Sequence, residues 1–152
     1  MERISRRSFP GMYNYSVPIM YEINRKSGTI RTKCFGQVTL PEVIDHFRTL
    51  GEDPNCPDRL DVYLDVSDVA LVPESKQLSA VVTELKKFQR RTRFDACAIV
   101  AGNDVLFGMM RMFETLAEEY FRVSRIFRSG SEAEAWLADQ KTKASKSAAE
   151  HG

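Results

Sequence analysis

Apolar and polar positions alternate from Ile19 to Ile23 and again from Thr29 to Phe35, with the polar loop Asn24-Arg25-Lys26-Ser27-Gly28 between them. Period-two alternation on either side of a glycine-ended loop predicts an antiparallel hairpin. In its second strand Ile30, Thr32 and Cys34 face one way, and Arg31, Lys33 and Phe35 face the other. The period then changes. Thr39-Leu40-Pro41-Glu42 has the Ser/Thr-x-x-Glu pattern of a capping box with a proline tolerated near the start, and Val43, Ile44, Phe47 and Leu50 follow at helical spacing. The glycine and two prolines between Gly51 and Leu60 predict a loop. Asp61 to Val66 reads as a strand, Ser67-Asp68 as a turn, and Pro73 as a residue of the next helix's first turn. Leu78, Val81, Val82, Leu85 and Phe88 give that helix one apolar face.

Ala96-Cys97-Ala98-Ile99-Val100 is continuously apolar, as in a central strand covered on both faces. Asn103 or Asp104 can cap the helix that follows, whose inward stripe is expected to be Met109, Met112, Phe113, Leu116 and Ala117. Val123 to Phe127 makes a last strand, and Ser131-Glu132-Ala133-Glu134 reads as a second capping box opening a helix with Trp136 and Leu137. The order of elements predicts an α/β fold: a mixed sheet, mostly parallel with an antiparallel strand at one end, and helices packed against it. Residues 1–18 read as an irregular arm, 19–138 as the α/β domain and 139–152 as a flexible polar tail, a frayed helix or a disordered segment, because Lys, Ser and Ala dominate there with little to bury.

A length of 152 residues with 43% hydrophobic positions suits one domain with one substantial core. Its 22 basic and 21 acidic residues nearly cancel, which argues against wholesale binding to nucleic acid or acidic lipid. Cys34, Cys56 and Cys97 are odd in number and lack Cys-x-x-Cys spacing, so neither a zinc site nor a disulfide framework is expected, and reduced thiols in the cytoplasm are. No run approaches the roughly 20 apolar residues of a membrane span, and the N-terminus lacks the apolar core of a secretory signal.

Candidate chemistry gathers past the carboxyl end of the Asp61 strand, where open α/β sheets place their sites. Ser67, Asp68 and Ser75 are the first candidates. Asp65, Asp68 and Ser67 supply hard oxygens, yet capping and turn hydrogen bonds account for the same residues, and no metal or cofactor is expected. His46 and His151 complete no Ser-His-Asp or Cys-His set, so no catalytic residue is assigned, and His46 is read as a surface or half-buried side chain. Lys86, Lys87, Arg90, Arg91 and Arg93 crowd the end of the second helix, where cations interact favourably with the helix C-terminus. With Arg122, Arg125 and Arg128 they would form a docking patch if the fold brought them together. Three methionines and two phenylalanines fall between Leu106 and Phe113. Most of such a stripe belongs to a core, but Phe107 and Met110 fall off the expected inward face, so Phe107, Met109, Met110 and Met112 are candidates for an apolar ligand site or an interface.

Tyr21-Glu22-Ile23, the Thr39 to Phe47 helix, Leu64-Asp65-Val66-Ser67, Phe107-Gly108-Met109, Arg111-Met112-Phe113 and Val123-x-x-Ile126-Phe127 together resemble the SpoIIAA-like family, related to STAS and SEC14 (CRAL-TRIO) domains. The resemblance implies a small bacterial α/β domain, with relatives that are anti-sigma factor antagonists acting by protein docking and serine phosphorylation, or lipid carriers. In STAS domains Leu-Asp-Leu-Ser-Gly-Val is followed, after three variable residues, by Asp-Ser-Ser-Gly. The resemblance puts the phosphoacceptor on Ser75, within a switch surface of Asp65, Ser67, Asp68 and Lys76. Pro73, Glu74 and Lys76 depart from the pattern, Glu74 repelling a phosphate and Lys76 partly offsetting it. The expectation is a noncatalytic regulatory or binding domain with a protein partner or a second copy of itself. The alternative is a carrier of a small apolar or lipid-like ligand, and a metal-dependent hydrolase or phosphotransferase using Asp65 ranks third.

Overall fold

The computed structural model describes the backbone of residues 3–4, 18–70 and 74–151, and side chains over 18–70 and 74–143. Among the described residues, six strands form one sheet in sequential order: β1 (Arg3–Ile4), β2 (Ile19–Asn24), β3 (Thr29–Gly36), β4 (Arg59–Val69), β5 (Arg93–Val100) and β6 (Val123–Phe127). Strands β1 and β2, and β2 and β3, pair antiparallel, while β3 through β6 are parallel. The helices are α1 (Leu40–Glu52), α2 (Ser75–Phe88), α3 (Asp104–Leu116) and α4 (Gly130–His151). This is the mixed α/β architecture expected from the order of elements.

Sequential parallel strands with crossovers of one hand carry every crossover helix to the same face. Accordingly Leu50 of α1, Leu85 of α2 and Met110 and Phe113 of α3 share one core with Ile30, Cys97 and Ile99 of the sheet. Helix α4 takes the other face, where Ala133 and Leu137 pack on Ala96, Ala98 and Val100. Three small or short residues at alternate positions of β5 let that helix lie close.

Local chemistry explains the boundaries. Thr39 caps α1 through the expected box: its backbone N–H donates to Glu42 at 2.9 Å, and its hydroxyl accepts from the Glu42 backbone at 3.4 Å. Gly28 ends the hairpin loop at φ +66°, a left-handed conformation that glycine adopts without steric cost.

The structure corrects several expectations. Ser67 and Asp68 are not a turn: β4 runs on to Val69 because Asp68 and Val69 pair with Phe35 and Gly36 of β3. Pro73 lies outside the described residues. The hydroxyl that accepts from the Glu132 backbone is that of Ser129, two residues before the expected box, so α4 starts at Gly130. Arg3 and Ile4 of the expected irregular arm pair with Ile23 and Glu22. Of the two alternatives for the tail, its described residues take the helical one and continue α4, but they are not all without a role in packing: Gln140 is buried and Lys141 donates to Asp61. No helix of the described residues is long and apolar enough to cross a membrane.

Candidate functional site

The parallel strands β3 to β6 end on the same side, and the candidates from the sequence fall there. The Asp65 carboxylate accepts the backbone N–H of Ser67 at 2.9 Å, and Lys33 pairs with Asp68 at 3.1 Å. Ser67 lies beside Gly102, where a Cβ would come 3.7 Å from its Oγ, so the end of β4 abuts the loop that enters α3. Ser75 and Lys76 stand exposed on the first turn of α2, apart from these bonded pairs, and Gln77 Oε1 accepts the backbone N–H of Glu74 at 2.8 Å. Among the described residues, no three His, Cys, Asp or Glu side chains gather to hold a metal ion.

The phase of α3 differs from the sequence expectation. Leu106, Met110, Phe113 and Ala117 point inward. Met112 and Leu116, expected in the core, are 40% and 39% exposed, and Val105 is 62% exposed. Apolar residues surround this helix on several sides, so periodicity alone could not decide which stripe faces the sheet. Met109 is half-buried, and Phe107 is half-buried beneath the Arg128 guanidinium, 4.4 Å from its ring centre. The four candidates therefore divide: Met110 joins the interior, while Met112 lies on an outward stripe with Val105, Met109 and Leu116 at helical spacing.

Beneath α1 and α2 lies a feature that no motif announced, a cavity of about 190 Å³ between those helices and the sheet. Val62, Leu64 and Val66 of β4 form its floor, Val43 and Phe47 of α1 and Val81 of α2 its roof, and Met110 of α3 reaches one side. His46 also lines it, edge-on to Tyr21 with ring centres 5.3 Å apart, and is buried where a surface or half-buried side chain was expected. The Cys34 and Cys97 thiols face the same space. Burial, and secondarily the charge of Asp65, pushes the Cys34 thiol up to about 12. Cys97 is raised for the same first reason, with Glu114 adding to it. Both are neutral near pH 7, in keeping with an apolar interior.

The basic residues divide between two ends of the sheet: Arg91, Arg93 and Arg122 lie around the starts of β5 and β6, and Arg128 lies beyond the end of β6. Arg91 donates to the Gly51 and Cys56 carbonyls at 3.3 and 3.0 Å, and Arg122 donates to Asp95 at 2.9 and 3.2 Å. Arg128 pairs with Asp104 at 2.5 Å at the opposite end of β6. These guanidiniums tie elements together, a use that composition does not distinguish from ligand binding.

No family model matches the chain, and no curated protein matches it. The crystal structure of apo-SiaC from Pseudomonas aeruginosa is similar at 15% identity and a TM-score of 0.33, covering 82% of this chain and 99% of that one. A likeness this loose bears on neither activity nor partner.

Proposed function

We propose that this chain is a noncatalytic regulatory or binding domain of SpoIIAA/STAS-like type, acting by docking to another protein through the outer face of α3 and the neighbouring strand ends. The observation that carries the reading is the stripe of Val105, Met112 and Leu116, which are 62%, 40% and 39% exposed on one helix. Three large apolar side chains held in water at helical spacing are the usual anchors of a helix-facing interface. The entry to α3 adjoins Ser67, so Val105 at the head of the apolar stripe lies near Ser67 and Asp68, and the stripe runs away from them along the helix. Ser75, exposed at the start of α2, is the position at which a phosphoryl group would add negative charge where helix N–H groups favour it.

The test compares wild type with Met112→Lys and Leu116→Lys in partner capture from the source organism, followed by reconstitution with the purified partner. Loss of binding with an unchanged melting midpoint supports the reading, and a partner retained equally by both variants overturns it. Ser75→Glu in the same assay reports whether charge at that position alters docking.

A second reading, carriage of a small apolar ligand, is favoured by a separate observation, the cavity beneath α1 and α2. Mass measured under native and denaturing conditions tests it: a mass lost on denaturation supports carriage.

A further inference from the structure

We infer that the cavity takes one small, uncharged apolar molecule, of the size of a one- or two-ring aromatic, admitted through the seam between α1 and α2. The inference rests on the carriage reading and gives it a ligand class. Volume decides the size. An engineered cavity of roughly 150 Å³ lined by Leu, Ile and Phe stays dry and accepts benzene. The present cavity, about 190 Å³, is a little larger. Sites for drug-sized ligands span about 300–1,000 Å³, so a two-chain lipid or a long acyl chain exceeds the space.

Lining chemistry decides the charge. No Lys, Arg, Asp or Glu side chain lines the cavity among the described residues. The Thr39 hydroxyl donates to Glu42 at 2.7 Å, and Gln77 Oε1 is taken by the Glu74 backbone. Apart from the His46 imidazole, no described group that could stand as counter-charge at neutral pH lines the space, so an ion brought inside would lose its hydration largely uncompensated.

The way in follows from exposure. Val62 and Leu64 sit on a central strand with a partner on each side, yet they are only half-buried. Val43, Phe47 and Val81 above them are half-buried too, which makes the α1/α2 seam the thin side of the enclosure. Behind Met110 the wall is deep: Leu106, Met110 and Phe113 are 2%, 6% and 6% exposed.

Methyl NMR of the full chain, titrated with benzene, indole and palmitate, tests the inference. Benzene and indole are expected to shift the methyl groups of Met110, Val62 and Leu64 saturably and to leave exposed Met112 unmoved. Leu64→Trp, which fills the void, is expected to weaken indole binding at least tenfold. Val62→Phe makes the same test with a smaller insertion if the tryptophan disturbs folding. Palmitate moving these methyls at lower concentration than indole would overturn the size and charge assignment while carriage stands. Failure of all three probes to move them would overturn the inference and the carriage reading together.

Discussion

The Lys141 ammonium lies 2.7 Å from the Asp61 carboxylate, joining residues 80 positions apart. Asp61 is 1% exposed and also accepts the Ala96 backbone N–H at 3.0 Å, while Lys141 donates as well to the Ser27 carbonyl at 2.6 Å. One cation thus ties α4, β4 and the hairpin loop. Removing one partner of a buried pair leaves an uncompensated charge, which typically costs about 3–5 kcal/mol. Because the Lys141 side chain keeps 31% of its exposure and Arg59 stays 3.8 Å from Asp61, Lys141→Met is expected to fall below that range, at about 2 kcal/mol. Adding Asp61→Asn to that variant should recover part of the loss. Urea denaturation of the two singles and the double measures the coupling, and additive losses would show that the pair acts through something else.

The phase of α3 has a sharp consequence for two neighbouring methionines. Met110 is 6% exposed and Met112 40%. Met110→Ala is expected to destabilise by about 2 kcal/mol, the low end for a buried methionine because a void already adjoins it. Met112→Ala is expected to stay within about 0.5 kcal/mol of wild type, as surface substitutions do. Equal losses would put the stripe back in the phase that periodicity suggested.

Gly130 permits a close approach. A Cβ at this position would come 2.7 Å from the Tyr63 hydroxyl oxygen. Gly130→Ala is expected to change stability by less than about 1 kcal/mol, because the atom in the way is the outer end of the half-buried Tyr63 side chain and alanine favours the helix. Tyr63→Phe removes the atom in conflict, so combining the two should relieve any loss. Thermal melts of the three variants decide the point.

The Cys34 thiol, raised by burial to about 12, and Cys97, raised likewise, give a pH prediction of definite sign. An unfolded cysteine ionises near pH 8.5. A thiol whose folded pKa is higher contributes stability that is fully present below about pH 8.5 and is lost as pH rises toward the folded value. Stability measured from pH 8 upward should therefore fall, and fall less in Cys34→Ala and Cys97→Ala backgrounds. Native protein at pH 8 should also react with a thiol reagent far more slowly than unfolded protein.

Asp95 behaves in the opposite sense. Burial opposes its ionisation, but the hydrogen bond from Arg122 and the charges of Arg59 and Arg122 outweigh that and hold its carboxyl below the usual range. Its contribution is present above the unfolded aspartate value, about 3.9, and is lost as pH falls through the folded value. Asp95→Asn should therefore flatten the acid side of the stability profile, and acid titration of the two proteins shows whether it does.

Much of the architecture was legible because burial leaves a periodic trace. The hairpin, the Thr39 cap, the Leu78 to Phe88 stripe and the Val123 to Phe127 strand each follow from local spacing and reappear in the structure. What stayed hidden depends on partners distant in sequence. Asp68 is strand because β3 is alongside, Lys141 is anchored because the buried Asp61 carboxylate accepts it, and His46 is buried because Tyr21 covers it. The cavity leaves no trace in the sequence, since a residue facing a void and one facing a neighbour have the same hydropathy.

The Lys141 contact also bears on how the chain is made. A ribosome releases the polypeptide at about 5–20 residues per second, N-terminal parts first. Strand β4 is available to pair with β3 and then β5 well before residue 141 has emerged. During that interval Asp61 has Arg59 as its partner but not Lys141, and the faces of Ala96 and Ala98 lack Leu137. Until α4 is available, one face of the sheet has its helices and the other lacks the cover that Ala133 and Leu137 give, so the last helix to be made is the one that closes the domain.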